Sequence, residues 1–145
     1  MEKTYNIEVV GYFKDETRTL FPTVSGIYFV YRGTLNTVSQ PPSAILNELI
    51  YIGETDNLRN RHNEHDRRQD FLDTLKYGEQ LFYCYAETTF SEADRKRVEA
   101  ALIHELQPAL NVQNQSLFNN DRTTVIVQGD RHAFVPNAIT APSYY

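Results

Sequence analysis

The sequence predicts an α+β fold, in which a small three-stranded antiparallel or mixed sheet is flanked by helices. Short runs of β-branched and aromatic residues are typical of strands, and capped segments with apolar residues at helical spacing indicate helices. The predicted strands and helices do not alternate strictly, which favours α+β over a parallel α/β sheet. A chain of 145 residues has the length of one domain, so we expect residues 1–145 to form a single domain.

Five segments carry strand signals. The three expected at the centre of the sheet are 27–31, 49–53 and 80–88, all dominated by apolar and aromatic residues. Residues 5–13 and the weaker run 123–127 predict extra strands from the N- and C-terminal segments. Beyond residue 113 the signals weaken, and we expect residues 136–145 to form a loosely held tail.

Helix signals fall between these runs. The segments predicted as helices are 44–49 (N-cap Ser43), 56–65 (cap Thr55 or Asp56), 68–77 (ended by Gly78) and a longest helix that opens at the capping-box-like Ser91-Glu92-Ala93-Asp94 and closes at Pro108.

Composition narrows the class of protein. The formal net charge of −5 argues against a constitutive nucleic-acid coat protein, but a nuclease needs only a local basic patch. Basic residues cluster in 59–68 and 95–97, and acidic residues dilute both clusters. A single cysteine, Cys84, excludes a disulfide framework and a Cys-x-x-Cys zinc site. The first twenty residues are too charged for a signal peptide, and no apolar stretch could span a membrane, so we expect a soluble, cytoplasmic protein without a membrane partner.

Glu99 is an unusual residue in the longest predicted helix. It lies three residues before Leu102 and four before Ile103, and therefore on the same apolar stripe. A carboxylate on a packed face is costly unless it is paired, protonated or bound to a cation. An ion pair with Arg95, one turn earlier, or a position at the rim of the helix interface would also account for it.

Two pairs of residues share a face in the same way. Arg61 and His65 are four residues apart in a predicted helix and lie one turn from each other. Tyr28 ends a Gly-Ile-Tyr tripeptide and Tyr51 begins a Tyr-Ile-Gly tripeptide, so strand alternation can place both phenols on one sheet face. Each pair by itself is ordinary on a helix or in a strand. Asn111, after the long helix, would by itself most often cap a turn.

Taken together, these features resemble the GIY-YIG nuclease family. The resemblance covers about residues 24–111, with flanking extensions 1–23 and 112–145 outside it. It implies the GIY-YIG endonuclease fold and a set of site residues that occur in the family's order, namely Tyr28, Tyr51, Arg61, His65, Glu99 and Asn111.

The resemblance implies a metal-dependent endonuclease that hydrolyses DNA phosphodiester bonds. Glu99 would hold one Mg²⁺ (or Mn²⁺), and Arg61 would donate to phosphate oxygens. Tyr28 is the candidate general base and Tyr51 would position water or phosphate, although His65 is an alternative base, and the sequence leaves the choice open. Asn111 would hold the site together or touch the cleaved strand. Arg59, Arg67 and Arg68 are candidate DNA backbone contacts.

Two departures from the family pattern keep an alternative open. Glu54 follows the Tyr-Ile-Gly tripeptide where many members carry a lysine or another neutral or basic residue. The two tripeptides are also separated by more residues than in compact members, which predicts an inserted loop or short helix around residues 41–48, away from the site. The alternative is a catalytically inactive module that binds nucleic acid or a protein. For an active enzyme, sequence choice would come from the extra segments, a homo-oligomer or a separate specificity partner.

Overall fold

The computed structural model describes residues 1–111 and 118–143. Its centre is one mixed sheet with strand order β3-β2-β4-β1-β5-β6. The strands are β1 (Lys3–Lys14), β2 (Gly26–Asn36), β3 (Ser43–Thr55), β4 (Gln80–Glu87), β5 (Thr123–Gly129) and β6 (Ala138–Ala141). The helices are α1 (Leu58–Asn63), α2 (Arg68–Asp73) and α3 (Glu92–Leu106), with a 3-10 helix over Asp15–Leu20.

The sheet is antiparallel except where β1 runs parallel to β5. The predicted α+β class is confirmed: β2, β3 and β4 form the expected three-stranded unit, and β1, β5 and β6 are the additional strands. In the described part of the chain, no helix has the length and apolar character required to cross a bilayer.

Both faces of the central strands are covered, which explains their nearly continuous apolar sequence. In β2, alternate residues enter different clusters. Ile27 and Phe29 pack on the side covered by α3, while Tyr28 and Val30 pack on the side that contains Leu58 of α1. The first tripeptide is therefore divided between two cores, and its tyrosine belongs to the α1 side.

The predicted helix over residues 44–49 is wrong, because this segment is the first half of β3. β2 and β3 form one long hairpin that pairs from Gly26 opposite Thr55 to Asn36 opposite Ser43. Leu46 and Leu49 are buried in the core on the α3 side. A six-residue helix is marginal in water, whereas a strand here gains ladder hydrogen bonds and buries these two leucines. The inserted segment is thus an extension of the hairpin.

The boundaries of the other elements shift as well. α1 starts after Asn57, whose side chain accepts a hydrogen bond from the Asn60 N–H at 3.1 Å, and ends earlier than predicted. α2 stops at Asp73 rather than at residue 77. The long helix begins as predicted, with Ser91 accepting from the Asp94 N–H.

The prediction of a loose tail is wrong over residues 138–141. These residues form β6, which pairs with β5 and buries Ile139 and Ala141. The short apolar alternation gains stability only because β5 provides an edge for it. Residues 112–117 and 144–145 of the predicted C-terminal extension lie outside the described residues.

Candidate active site

An open cleft of about 220 Å³ lies beside the edge strand β3. The residues that line it come from β3, α1, the segment between α1 and α2, α3, and the segment after α3. They are Tyr51, Arg61, Asp66, Arg67, Glu99, Ile103 and Asn111. Four of the six site residues predicted from the sequence therefore line one cleft, and the other two, Tyr28 and His65, contact Tyr51 or Arg61 from the protein interior.

Tyr28 is the most deeply buried of these residues, with 1% of its surface exposed. Its ring lies across Gly53 on the neighbouring strand, where an added Cβ would be 2.2 Å from the ring. This close approach explains why glycine ends the second tripeptide: the space above it is filled by the tyrosine of the first. Two N–H groups face the Tyr28 oxygen, Nε of Arg61 at 3.2 Å and Nε2 of His65 at 2.8 Å.

The hydrogen bonds of His65 fix the position of its proton. Its Nδ1 accepts from the backbone N–H of Arg67 at 3.0 Å and therefore carries no proton. Burial first, and then the positive charge of Arg61, lowers the pKa of His65 to about 3, so the ring is neutral near pH 7. A neutral ring without a proton on Nδ1 carries it on Nε2, so His65 donates to Tyr28.

The oxygen of Tyr28 therefore accepts from two donors, which is an arrangement that favours negative charge on it. Burial, followed by the neighbouring Tyr51, raises the pKa of Tyr28 well above its usual value, whereas Arg61 opposes this change. Tyr28 is consequently a neutral phenol in the free protein at pH 7. Its own hydroxyl hydrogen has no acceptor among the described residues.

Arg61 connects the interior to the cleft. Its Nε donates to Tyr28, while its Nη1 lies 3.0 Å from a carboxylate oxygen of Asp66. Asp66 is 74% exposed and lines the cleft. A single carboxylate in a loop next to His65 carries no periodic or motif signal, so Asp66 could not be predicted as a site residue. Asp66 occupies a donor of Arg61 that a phosphate oxygen could otherwise use.

Tyr51 is the tyrosine that faces the cleft. Its ring centroid lies 6.2 Å from that of Tyr28 and 5.5 Å from that of His65, and the Arg67 guanidinium lies 5.5 Å from its centroid. Burial raises the pKa of the Tyr51 hydroxyl, and Arg61 opposes the change. The two phenols thus lie on one side of the sheet, as the strand alternation predicted.

Glu99 lies in α3 and lines the cleft. Burial, and then the negative charge of Glu54, raises the pKa of Glu99 to about 7, while a hydrogen bond from the backbone of Glu54 lowers it. The expected alternative, an ion pair with Arg95, is not formed: Nε of Arg95 donates to the Glu54 carboxylate at 3.0 Å. Within residues 1–111 and 118–143, no ion pair within 4.0 Å includes Glu99.

Asn111 binds the edge strand rather than capping only its own turn. Its side-chain oxygen accepts from the Ile52 N–H, and its side-chain nitrogen donates to the Ile52 carbonyl, both at 2.8 Å. The backbone N–H of Leu110 donates to the Ile50 carbonyl. Asn111 therefore satisfies edge groups of β3 between Tyr51 and Gly53, and both of its amide atoms are engaged.

The three arginines predicted as DNA backbone contacts lie in different places. Arg67 lines the cleft and donates to the Leu110 carbonyl and to Asp70. Arg59 is exposed on α1 and donates to the Phe21 carbonyl. Arg68 forms an ion pair with Asp15, away from the lining of the cleft. Only Arg67 lies in the cleft, since a cluster in sequence is spread over several directions by α1, α2 and the turn between them.

His62 is a buried residue of α1, on the inner side of the site. Its Nδ1 is 2.7 Å from the Leu58 carbonyl, and its ring lies against Tyr28 at a centroid distance of 4.7 Å. Burial lowers its pKa to about 4, so it is neutral near pH 7. His62 supports the inner side of Tyr28, and no sequence pattern distinguishes such a histidine from one on the surface.

This arrangement of tyrosines, arginine and glutamate around one cleft agrees with a comparison against known families. The model of the GIY-YIG catalytic domain matches residues 26–114, which is more than half of the chain. The chain therefore belongs to the GIY-YIG family, and its domain is of the nuclease class. Comparisons with curated proteins and with solved structures gave no match.

Proposed function

We propose that the protein is a metal-dependent endonuclease that hydrolyses DNA phosphodiester bonds in this cleft. The observation that carries the proposal is the shared opening of Tyr51, Arg61 and Glu99, a glutamate without an ion-pair partner in the described part of the chain. Phosphodiester hydrolysis needs a water that is deprotonated, a cation for the charge that grows on the phosphate, and help for the leaving oxygen.

The cleft fits a hydrated divalent cation held by one protein carboxylate. In the described residues, no group of three or more His, Cys, Asp or Glu side chains could form an all-protein cage. Glu99 instead supplies a single oxygen-donor group without an ion-pair partner, and the cleft has room for several waters at roughly 30 Å³ each. Mg²⁺ keeps most of its waters and binds through one or two carboxylates, so Mg²⁺, or Mn²⁺, suits this donor set. When bound, such a cation polarises phosphate oxygens and acidifies water.

Arg61 is the residue we assign to the phosphate. Its guanidinium is held at Nε by Tyr28 and directs Nη1 into the cleft, where Asp66 now accepts from it. A phosphate oxygen would replace the Asp66 carboxylate, which is exposed and free to move into water. Arginine suits this role because its planar fork matches two phosphate oxygens.

Tyr28 remains our candidate for the general base. His65 already uses both ring nitrogens, with Nδ1 accepting from Arg67 and Nε2 donating to Tyr28, so it has no free lone pair for a water proton. Tyr28 would take the proton of the water as a phenolate, after its own proton has passed to bulk solvent. The phenolate oxygen has three lone pairs, so two can accept from Arg61 and His65 while the third takes the proton. Tyr51, which lines the cleft, would position the water or the phosphate. Asn111 would hold β3, and with it Tyr51, in place.

The test is cleavage of supercoiled plasmid with Mg²⁺, with Mn²⁺ and with EDTA. We expect cleavage that needs the cation, and a loss of about 100-fold or more in Arg61→Ala and in Glu99→Gln. Glu92→Gln is the matched control, because Glu92 lies on the same helix but is exposed and paired with Lys96. Circular dichroism would verify that each variant folds.

The same assay separates the enzyme from an inactive binding module. Parental cleavage rates in Glu99→Gln would contradict the assignment of the cation site. Retention of plasmid in gel-shift experiments without cleavage under any cation would instead support the binding module.

A further inference from the structure

Glu54 and Arg95 form an ion pair beside the cleft, but neither residue lines it. The Glu54 side chain is 15% exposed and that of Arg95 is 9% exposed, so the pair is largely removed from water. Glu54 stands where many family members carry a lysine, and nothing in the proposed mechanism uses it. The pair nevertheless approaches Glu99, the proposed cation ligand, from two directions, α3 and β3.

The first direction is along α3. Arg95 lies four residues before Glu99, and side chains at this spacing are neighbours on a helix surface. An arginine at this position is able to form an ion pair with Glu99, which would neutralise the carboxylate. In the structure Arg95 turns away: its Nε donates to Glu54 at 3.0 Å and its Nη1 donates to the Phe90 carbonyl at 3.2 Å.

The second direction is from β3. The Glu54 carboxylate accepts from Nε of Arg95 at 3.0 Å, and, after burial, its negative charge is one of the causes that raise the pKa of Glu99. Glu54 therefore lies close enough to Glu99 for its charge to act there, and it retains the arginine that could neutralise Glu99. Arginine stays charged when buried, so without Glu54 it must find another carboxylate or water.

We propose that Glu54 is a positioning residue, whose ion pair with Arg95 keeps the arginine off Glu99 and leaves the Glu99 carboxylate open to a divalent cation. The inference rests on the proposed function, because it takes Glu99 as the cation ligand. In this proposal Glu54, the acidic residue after the second tripeptide, acts on Glu99 indirectly, by holding Arg95.

The experiment measures Mn²⁺ binding to the DNA-free protein, by calorimetry and by electron paramagnetic resonance, so that its readout does not depend on cleavage. The variants are Glu54→Met, Arg95→Met, the double variant Glu54→Met/Arg95→Met, and Glu99→Gln. Glu48→Met is the matched control, because Glu48 lies on the same strand and pairs with the largely buried Arg32, but outside the cleft. Glu54→Gln, which can still accept from Arg95, provides a milder variant if Glu54→Met folds poorly.

We expect Glu54→Met to weaken Mn²⁺ binding about tenfold, which corresponds to about 1.4 kcal/mol. The double variant should return to within about twofold of the parent, since it removes the released arginine as well and replaces an ion pair by apolar side chains, a change that folds tolerate. Glu48→Met should bind Mn²⁺ as the parent does.

A second measurement separates arginine capture from a simple change of charge. In Glu54→Met, the Arg95 Nε–H resonance should shift when Glu99→Gln is added, because the two side chains are then in contact. When Glu99→Gln is made alone in the parent protein, the chemical shift of the Arg95 Nε–H should hardly change.

The inference is overturned if Glu54→Met binds Mn²⁺ as the parent does. It is also overturned if adding Arg95→Met to Glu54→Met does not restore the lost affinity, or if the Arg95 resonance in Glu54→Met does not shift when Glu99→Gln is added. Failure of the proposed function is recognised separately: parental Mn²⁺ affinity in Glu99→Gln removes Glu99 as the ligand and the inference with it. A loss in Glu99→Gln together with parental binding in Glu54→Met overturns the inference alone.

Discussion

Glu99 is the residue whose environment conflicts most clearly with folding stability. Burial holds its pKa at about 7, against 4.5 for a free glutamate, so the folded protein binds this proton more tightly than the unfolded chain does. Below pH 4.5 the carboxyl group is protonated in both the folded and the unfolded protein, so its burial does not lower the free energy of unfolding through ionisation. Between pH 4.5 and 7 this loss of unfolding free energy grows, and above pH 7 it is fully present. The carboxylate that the proposed function assigns to a cation thus destabilises the cation-free protein.

We therefore expect Glu99→Gln to stabilise the cation-free protein. At pH 8 its free energy of unfolding should exceed that of the parent by about 3 kcal/mol, and the difference should vanish as the pH falls below 4.5. Urea unfolding at a series of pH values measures this difference. A variant that is no more stable than the parent at pH 8 would show that the carboxylate is satisfied in the free protein.

At the scale of elements, the edge of β3 is stabilised by Asn111, a residue that follows α3. Its side-chain amide forms hydrogen bonds with the backbone N–H and carbonyl of Ile52, as a neighbouring strand would. This places a polar side chain, 6% exposed, where an unpaired edge would leave Ile52 without partners. The contact holds the part of β3 that carries Tyr51 and Gly53.

Replacement of Asn111 by Ala should cost about 1–3 kcal/mol of unfolding free energy, because it leaves two backbone groups of Ile52 unsatisfied. The amide proton of Ile52 should also exchange faster with solvent. Denaturant unfolding and hydrogen exchange measure the two effects. Asn6→Ala, at an exposed position of β1, is the control and should change neither; equal effects in both variants would contradict the role of Asn111.

The far end of the β2–β3 hairpin should be independent of the site. β2 pairs with β4 only as far as Gly33 opposite Gln80, so the last residues of the hairpin extend beyond the third strand. The distance from Tyr28 to the turn is about eight residues, or roughly 26 Å. Exchange of residues 37–42 for Asn-Gly should therefore keep a two-residue hairpin and parental cleavage.

Plasmid cleavage and thermal unfolding test this exchange. A tenfold slower enzyme with an unchanged melting temperature would contradict the separation of hairpin and site, and would indicate that the extended segment contacts DNA.

At the scale of the whole molecule, each chain carries one set of the proposed site residues. One such cleft acts on one phosphodiester bond at a time, so a supercoiled plasmid should first become an open circle. Linear plasmid should appear later, and its rate should rise more steeply than linearly with protein concentration if two chains must act together. Gel quantification over a concentration series measures both products, and linear plasmid without a preceding open circle at low protein concentration would indicate a preformed homo-oligomer.

Much of the site could be predicted from the sequence, since tripeptide spacing and helical periodicity depend only on the nearest turns of chain. The face shared by Tyr28 and Tyr51 follows from strand alternation, and Glu99 follows from the apolar stripe of α3. Asp66 could not be predicted, because its position depends on the path of the turn after α1. The burial of His62 against Tyr28 and the pairing of Arg95 with Glu54 could not be predicted either, because each joins segments far apart in the chain. The helix expected over residues 44–49 failed for the same reason: local propensity favoured a short helix, and pairing with β2 outweighed it.

The sequence by itself determined the α+β class, the order of the main elements and the residue types available for phosphate and cation chemistry. Only the tertiary structure decided which of these residues meet, which tyrosine faces the cleft, which tautomer His65 adopts and where Arg95 points. The physical reason is that propensity and periodicity act over a few residues, whereas burial, hydrogen-bond partners and charge pairing are set when segments far apart in the chain are packed against one sheet.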